Sequence, residues 1–212
     1  MEPIVLTTPH PELEDALEFI NTLEHSRDGD SELLPSPSKA RAWLVDHHAY
    51  KADGPELDDG DLSRARRVRG ALREVVDAVV AGRPADDAAL AEINGVLRGA
   101  DTRRLVPTSA GVAVEREHRA DPLSDALAHL VDPLVGFVAD GDHGRLRVCD
   151  DEQCRWVFYD ASRTGRRRWC SMDSCGNRAK AARHRARRRA GDAAGATEER
   201  ADRPRSAPVR GR

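Results

Sequence analysis

The sequence predicts a mainly α-helical N-terminal domain, built from helices and a short β-hairpin, and a small C-terminal module that ends in a basic helix. Apolar residues recur at helical spacing through most of residues 1–140, and all four cysteines lie within 27 residues of the C-terminal part. Residues 1–140 carry 15 Lys and Arg against 27 Asp and Glu, whereas residues 141–212 carry 19 against 10. Charge blocks of opposite sign predict two parts with different partners.

Helical periodicity predicts five helices in residues 1–140. In the first of them, Leu13, Leu17 and Ile20 follow a spacing of three or four residues, and a short second helix is capped by Ser36 or Ser38. Pro133 lies inside the last helix, where its ring predicts a bend or a break. Apart from the second, which holds Trp43, the helices are expected at residues 11–25, 61–81, 86–97 and 121–139.

The remaining segments set the predicted boundaries. Residues 103–107 and 112–116 flank a Thr-Ser-Ala-Gly turn, which is typical of a short β-hairpin. Gly-Asp-His-Gly at 141–144 predicts a hinge, and the Gly-, Ala-, Glu-, Pro- and Arg-rich end without aromatic residues predicts a disordered tail. The predicted organisation is an acidic domain at 1–140, a hinge at 141–144, a small domain at 145–190 and a tail at 191–212.

Two broad function classes are disfavoured by the sequence. No apolar stretch of about 18 residues is present, and the N-terminus lacks a basic leader with an apolar run, so we expect a cytoplasmic protein without a membrane partner. The histidines of residues 1–140 are dispersed, and neither a nucleophile motif nor a phosphate-binding loop is present. We therefore expect that the protein is not an enzyme.

The four cysteines follow the pattern Cys149-x4-Cys154-x15-Cys170-x4-Cys175. Two close pairs separated by about 15 residues are typical of a structural zinc site, because each pair grips one side of the ion through a tight turn. Disulfides are disfavoured in a reducing compartment, and a redox-labile zinc site is the alternative. The spacing predicts one structural Zn²⁺ held by these four residues in a treble-clef-like zinc finger.

Half of the eight aromatic residues lie between the cysteine pairs. Trp156, Phe158 and Trp169 are expected to form a small core over the ion, since a module of this size needs one. Base stacking is a further hypothesis for Tyr159.

Basic residues cluster on both sides of the second cysteine pair. A helix after Cys175 has Ala179, Ala182 and Ala186 on one side and cations elsewhere, which favours a polyanionic partner over a solvated face. Asn177 is either a base-reading residue or a helix cap. The predicted nucleic-acid-binding residues are Arg163, Arg166, Arg167, Arg168, Asn177, Arg178, Lys180, Arg183, Arg185, Arg187, Arg188 and Arg189.

The motif Cys175-Gly176-Asn177-Arg178, preceded by Arg-Arg-Trp-Cys-Ser-Met, resembles the bacterial CGNR zinc-finger family. Upstream, the pattern Leu-Glu-Phe-Ile-Asn-Thr at 17–22 and the residue Trp43 are similar to the ABATE-type domain that precedes this finger. The resemblance implies a stress-linked transcription regulator with an N-terminal sensing or interaction domain and a C-terminal DNA-binding finger.

The sequence thus predicts a zinc-dependent, nucleoid-associated transcriptional regulator that presents an Arg-rich helix to duplex DNA. The alternative is an RNA- or ribosome-associated zinc protein, because the same cations suit an RNA backbone. A small-molecule effector or a protein partner is expected to act on the N-terminal domain, in a pocket near Asn21, His25 and Arg27, for which helix capping and surface charge are the competing interpretation.

Overall fold

The computed structural model describes residues 11–26, 29–99, 102–108, 111–117, 121–141 and 143–201. The chain divides into two compact units, Met1–Cys170 and Ser171–Arg212. In the first, the helices are α1 (Pro11–Asn21), α2 (Pro37–Asp46), α3 (Asp59–Ala81), α4 (Asp87–Gly99) and α5 (Pro122–Asp140). Its antiparallel strand pairs are β1 (Leu23–Glu24) with β2 (Ser31–Glu32), β3 (Thr102–Thr108) with β4 (Gly111–Glu117), and β5 (Leu146–Val148) with β6 (Val157–Tyr159).

The second unit contains a π-helical turn, Met172–Gly176, followed by α6 (Asn177–Ala201). The predicted fold class is confirmed: a mainly helical N-terminal part with a short hairpin precedes a four-cysteine finger and a basic helix. Residues 191–201, predicted as the start of a disordered tail, continue α6, and alanine, the strongest helix former, recurs through them. Residues 202–212 lie outside the described residues.

Local sequence signals explain where the long helices begin and end. Asp58 and Asp61 form a capping box at the start of α3, and Gly82 ends this helix in the left-handed region at φ 62°. The side chain of Asp121 accepts a hydrogen bond from the Ser124 backbone at the start of α5. That helix continues through Pro133, so the proline does not split it.

Helices α1, α3 and α5 form the main core of the first unit. Phe19, Val68 and Leu127 are fully buried there. The β5–β6 hairpin belongs to the same core, in which Leu146 and Tyr159 are buried. That residues 141–144 form a hinge between two domains stays a prediction. The first compact unit of the structure extends past these residues to Cys170.

The packing of the β5–β6 hairpin in this core also determines the surroundings of Tyr159. Its ring meets Phe137 of α5 edge to face, with the ring centroids 5.9 Å apart, and only 4% of the residue is exposed. The hypothesis that Tyr159 stacks on a base is therefore wrong, because the side chain is buried inside the protein. All three residues of β6 are buried, so the strict in-and-out alternation of an exposed hairpin does not apply.

Among the described residues, none of the helices has the length and apolar character needed to cross a bilayer.

Candidate metal centre and nucleic-acid interface

The first cysteine pair lies in the loop that connects β5 to β6. Cys149 follows β5, and its N–H donates to the Trp156 carbonyl at 2.9 Å. A tight turn then returns the chain, since the N–H groups of Cys154 and Arg155 donate to the Asp151 carbonyl at 2.8 and 3.0 Å. Arg155 takes a left-handed conformation with φ 48°, which completes the turn at some cost in strain. The hairpin thereby brings the two thiols to the same end.

A buried aspartate organises the loop between the two pairs. Asp160 is fully buried and accepts hydrogen bonds from the N–H groups of Ser162 and Arg167 at 3.0 and 2.7 Å. Burial by itself raises the pKa of Asp160, but hydrogen bonds from Ser162 and Arg167 outweigh it, so the pKa is lowered overall. The Arg145 guanidinium donates to the carbonyls of Asp160 and Ser162 at 2.9 and 2.8 Å. Sequence analysis missed both roles.

The second pair consists of Cys170, at the end of the first unit, and Cys175, in the π-helical turn of the second. The Ser171 side chain accepts from the Ser174 N–H at 3.4 Å, and the Gly176 N–H donates to the Ser171 carbonyl at 3.0 Å. Cys175 is 1% exposed. This wide turn therefore presents one ligand immediately before α6 begins.

All four sulfur atoms lie within 4.8 Å of one another, and those of Cys154 and Cys170 are 3.6 Å apart. Four sulfurs at about 2.3 Å from one Zn²⁺ lie about 3.8 Å apart in a tetrahedron, so the donor set fits this ion. As thiols, the cysteines shift one another's pKa values. Hydrogen bonding to Cys154 and Cys170 lowers the pKa of Cys149 to about 2, whereas the bond to Cys149 raises that of Cys154 to about 12. Within the described residues this is the one metal-competent cluster.

Family models match both parts of the chain. A model for the CGNR zinc finger matches residues 145–188, and the ABATE model, described as a Putative stress-induced transcription regulator, matches residues 15–141. The chain belongs to the ABATE family. No curated protein matches the sequence. For this ABATE-family protein, the resemblance to an ABATE-type domain followed by a CGNR zinc finger is confirmed. The predicted structural zinc ion at Cys149, Cys154, Cys170 and Cys175 is confirmed as well.

The predicted nucleic-acid-binding residues of the second unit lie on a solvent-facing helix. Every side chain from Lys180 to Arg189 is exposed. Arg183 donates to the Ala179 carbonyl within the helix at 3.4 Å. The other cations of this stretch make no ion pair with any residue that the structure describes: Lys180, Arg185, Arg187, Arg188 and Arg189.

The four arginines of the loop in the first unit differ from one another. Arg163 and Arg166 are exposed and have no ion-pair partner within the described part of the chain. Arg167 lies over the Phe158 ring, 5.1 Å from its centroid, and donates to the Cys170 carbonyl. Arg168 pairs with Asp150 at 2.5 Å. Nucleic-acid binding by all four stays a prediction, and the structure gives two of them intramolecular partners.

Two residues of the CGNR motif face back toward their own turn. The Asn177 side chain donates to the Asp173 carbonyl at 3.1 Å, and Arg178 donates from Nη2 to the Cys175 Sγ at 2.9 Å. The sequence left a base-reading role or a helix cap open for Asn177 and placed Arg178 among the nucleic-acid-binding residues. The spacing could have predicted the contact between Arg178 and Cys175, because residues three apart at the start of a helix are neighbours on its surface.

The residues predicted for an effector pocket have other contacts. Asn21 is 4% exposed, donates to the Val157 carbonyl and accepts from the Val157 N–H, both at 2.9 Å. His25 pairs with Asp30 at 2.9 Å. Arg27 lies outside the described residues. Effector binding by these three stays a prediction, whereas the role of Asn21 in clamping the zinc-bearing hairpin was missed.

Proposed function

We propose that this protein is a zinc-dependent transcriptional regulator that binds duplex DNA through α6 and acts in the cytoplasm at the nucleoid. The observation that carries the proposal is the fully exposed, acid-free stretch of α6 from Lys180 to Arg189, with six cations in ten residues. Cations at this density repel one another, and phosphates relieve this repulsion. The structural zinc ion fixes the start of the helix that carries them.

Helix geometry favours duplex DNA over duplex RNA. An α-helix with side chains is about 10–12 Å across, and the major groove of B-form DNA is about 12 Å wide. The deep, narrow major groove of A-form RNA does not admit such a helix. The guanidinium groups supply phosphate contacts, which give affinity without sequence information, and a subset entering the groove supplies sequence preference.

The N-terminal part is proposed to sense an effector or bind a partner. Its acid excess disfavours direct contact with DNA, which is consistent with a regulatory task. We also propose that the protein is not an enzyme. Four cysteine ligands fill the tetrahedral positions of zinc and leave none for a substrate, and the sequence of residues 1–140 has no nucleophile motif or phosphate-binding loop.

Fluorescence anisotropy with the zinc-loaded full chain tests DNA binding. We expect Arg185→Ala to weaken binding to all duplexes alike and to reduce the slope of log affinity against log salt by about 0.9, the loss of one phosphate contact. Arg67→Ala is the matched control, because it removes the same charge from an exposed side chain on α3 (59% exposed). Equal behaviour of both variants would contradict an α6 interface.

A competition arm distinguishes the RNA alternative. Structured RNA is added to the chain bound to labelled duplex DNA, at one salt concentration and equal phosphate concentration. Displacement by RNA at lower concentration than by unlabelled DNA would refute the DNA proposal and support an RNA-associated role.

A further inference from the structure

The contact between Arg178 and Cys175 differs from the other cation contacts of the second unit. The guanidinium Nη2 donates to the Sγ atom at 2.9 Å, and that sulfur belongs to a residue that is 1% exposed. Its exposed neighbours further along α6 extend into solvent. Arg178 is therefore tied to a metal ligand, whereas the cations Lys180, Arg185 and Arg187 further along α6 are exposed.

We infer that Arg178 is a positioning residue of the zinc centre, holding the Cys175 thiolate in place and offsetting part of its charge. Four thiolates on one Zn²⁺ carry a net charge of about −2. A guanidinium stays protonated at all relevant pH values, and its hydrogen bond to an anionic acceptor is about twice as strong as a neutral one. Such outer contacts orient a ligand and lower its tendency to leave the metal.

Local geometry makes this contact possible. The π-helical turn Met172–Gly176 ends next to Cys175, and α6 begins at Asn177, so Arg178 lies on the first turn, three residues after the ligand. The Asn177 side chain closes the same turn on the Asp173 carbonyl at 3.1 Å. The two residues thus support the segment that presents the sulfur.

The contact also changes the expected DNA interface. Bidentate recognition of guanine needs two parallel N–H donors of the guanidinium fork. In Arg178 one arm is committed to sulfur. We therefore expect Arg178 to contribute less to base and phosphate contacts than the exposed cations from Lys180 onward, since one of its five N–H donors is held by sulfur.

Zinc affinity of the full chain, measured by competition with a chromophoric chelator, tests the inference. We expect Arg178→Ala to bind zinc about 10- to 100-fold more weakly, the usual effect of losing such a partner. Arg178→Lys should recover part of the affinity, because the ammonium can still donate to sulfur. Arg185→Ala is the matched control and should bind zinc like the parent chain, as its side chain is exposed and contacts no ligand.

Cobalt substitution provides a readout that general loss of stability would not move. At saturating Co²⁺, the sulfur-to-metal charge-transfer bands of Arg178→Ala should shift to lower energy, since a thiolate without its hydrogen bond is a stronger donor. Unchanged bands together with unchanged zinc affinity would overturn the inference, as would an Arg178→Lys variant no better than Arg178→Ala. None of these readouts uses nucleic acid, so a failure of DNA binding leaves the test intact.

Discussion

Asn21 is the residue whose removal tests most directly how the zinc-bearing hairpin is held. Its amide makes two hydrogen bonds to the backbone of Val157, which is 1% exposed and lies three residues after the ligand Cys154. In Asn21→Ala the N–H and the carbonyl of Val157 lose their partners inside the core. Neither group has access to water to replace them.

The cost follows from these two groups. Leaving a buried donor or acceptor unsatisfied costs about 1–3 kcal/mol, so the two together cost about 3 kcal/mol after partial relaxation. For a chain of this length, about 1 kcal/mol corresponds to about 2–4 °C in melting temperature. We therefore expect the melting temperature of the zinc-loaded variant to fall by about 6–12 °C.

Chemical denaturation at saturating zinc measures the free energy of unfolding, and thermal melting checks the size of the shift. Asn94→Ala is the matched control, because Asn94 is exposed on α4, and we expect a change within about 0.5 kcal/mol. Zinc affinity should also fall in Asn21→Ala, since the hairpin that carries the first ligand pair is no longer clamped. If Asn21→Ala lowers the free energy of unfolding by no more than Asn94→Ala does, Asn21 does not clamp the hairpin.

Three further predictions concern the metal ion, the β5–β6 hairpin and Glu32. The chelator EDTA should lower both the melting temperature and the DNA affinity of the full chain, since metal binding and finger folding are coupled; unchanged circular dichroism and anisotropy would contradict this. A fragment of residues 145–212 should bind zinc more weakly than the full chain, because Leu146 and Val157 lose their core, and equal affinities would show that the hairpin folds alone. Burial by itself raises the pKa of Glu32, but the hydrogen bonds from Arg69 and the Leu34 N–H, together with the charges of Arg69 and Arg66, outweigh it and lower the pKa. The carboxylate therefore stabilises the fold above its unfolded pKa of about 4.5 and loses this contribution as pH falls below it. The unfolding free energy of Glu32→Gln should therefore depend less on pH between about 5 and 3 than that of the parent chain; parallel curves would be evidence against this role.

The elements that the sequence predicts well are those set by neighbouring residues. The helical spacing of Leu13, Leu17 and Ile20 and the spacing of the four cysteines act over a few residues or through one turn, so their patterns are visible without the fold. The same holds for the basic face of α6, where charge clusters in sequence and in space alike. The capping box at Asp58 and Asp61 is equally local but was missed, since the helix was expected to begin at residue 61.

Contacts between distant segments could not be predicted in this way. Asn21 and Val157 are separated by 136 positions, and no periodicity links a polar residue at a helix end to a strand in a later segment. The residues around Tyr159 alternate in the way that is typical of a half-exposed strand. In the structure both faces of β6 are covered, because the hairpin packs in the core. Arg178 is a different case: its contact with Cys175 spans only three residues, and this spacing was the signal, because composition alone does not distinguish it from many similar arginines.

The embedded hairpin gives the proposed sensing function a physical requirement. Cys149 and Cys154 are carried by strands packed in the core of α1, α3 and α5, so a shift of the end of α1 acts on the first ligand pair through Asn21. A ligand changes such an equilibrium only by its differential affinity for the two states. An effector of the N-terminal part must therefore bind with different affinity to the zinc-loaded and zinc-free chains, by the same factor that it changes zinc affinity. Asn21→Ala should reduce that factor, because it removes the hydrogen bonds that join the end of α1 to the hairpin.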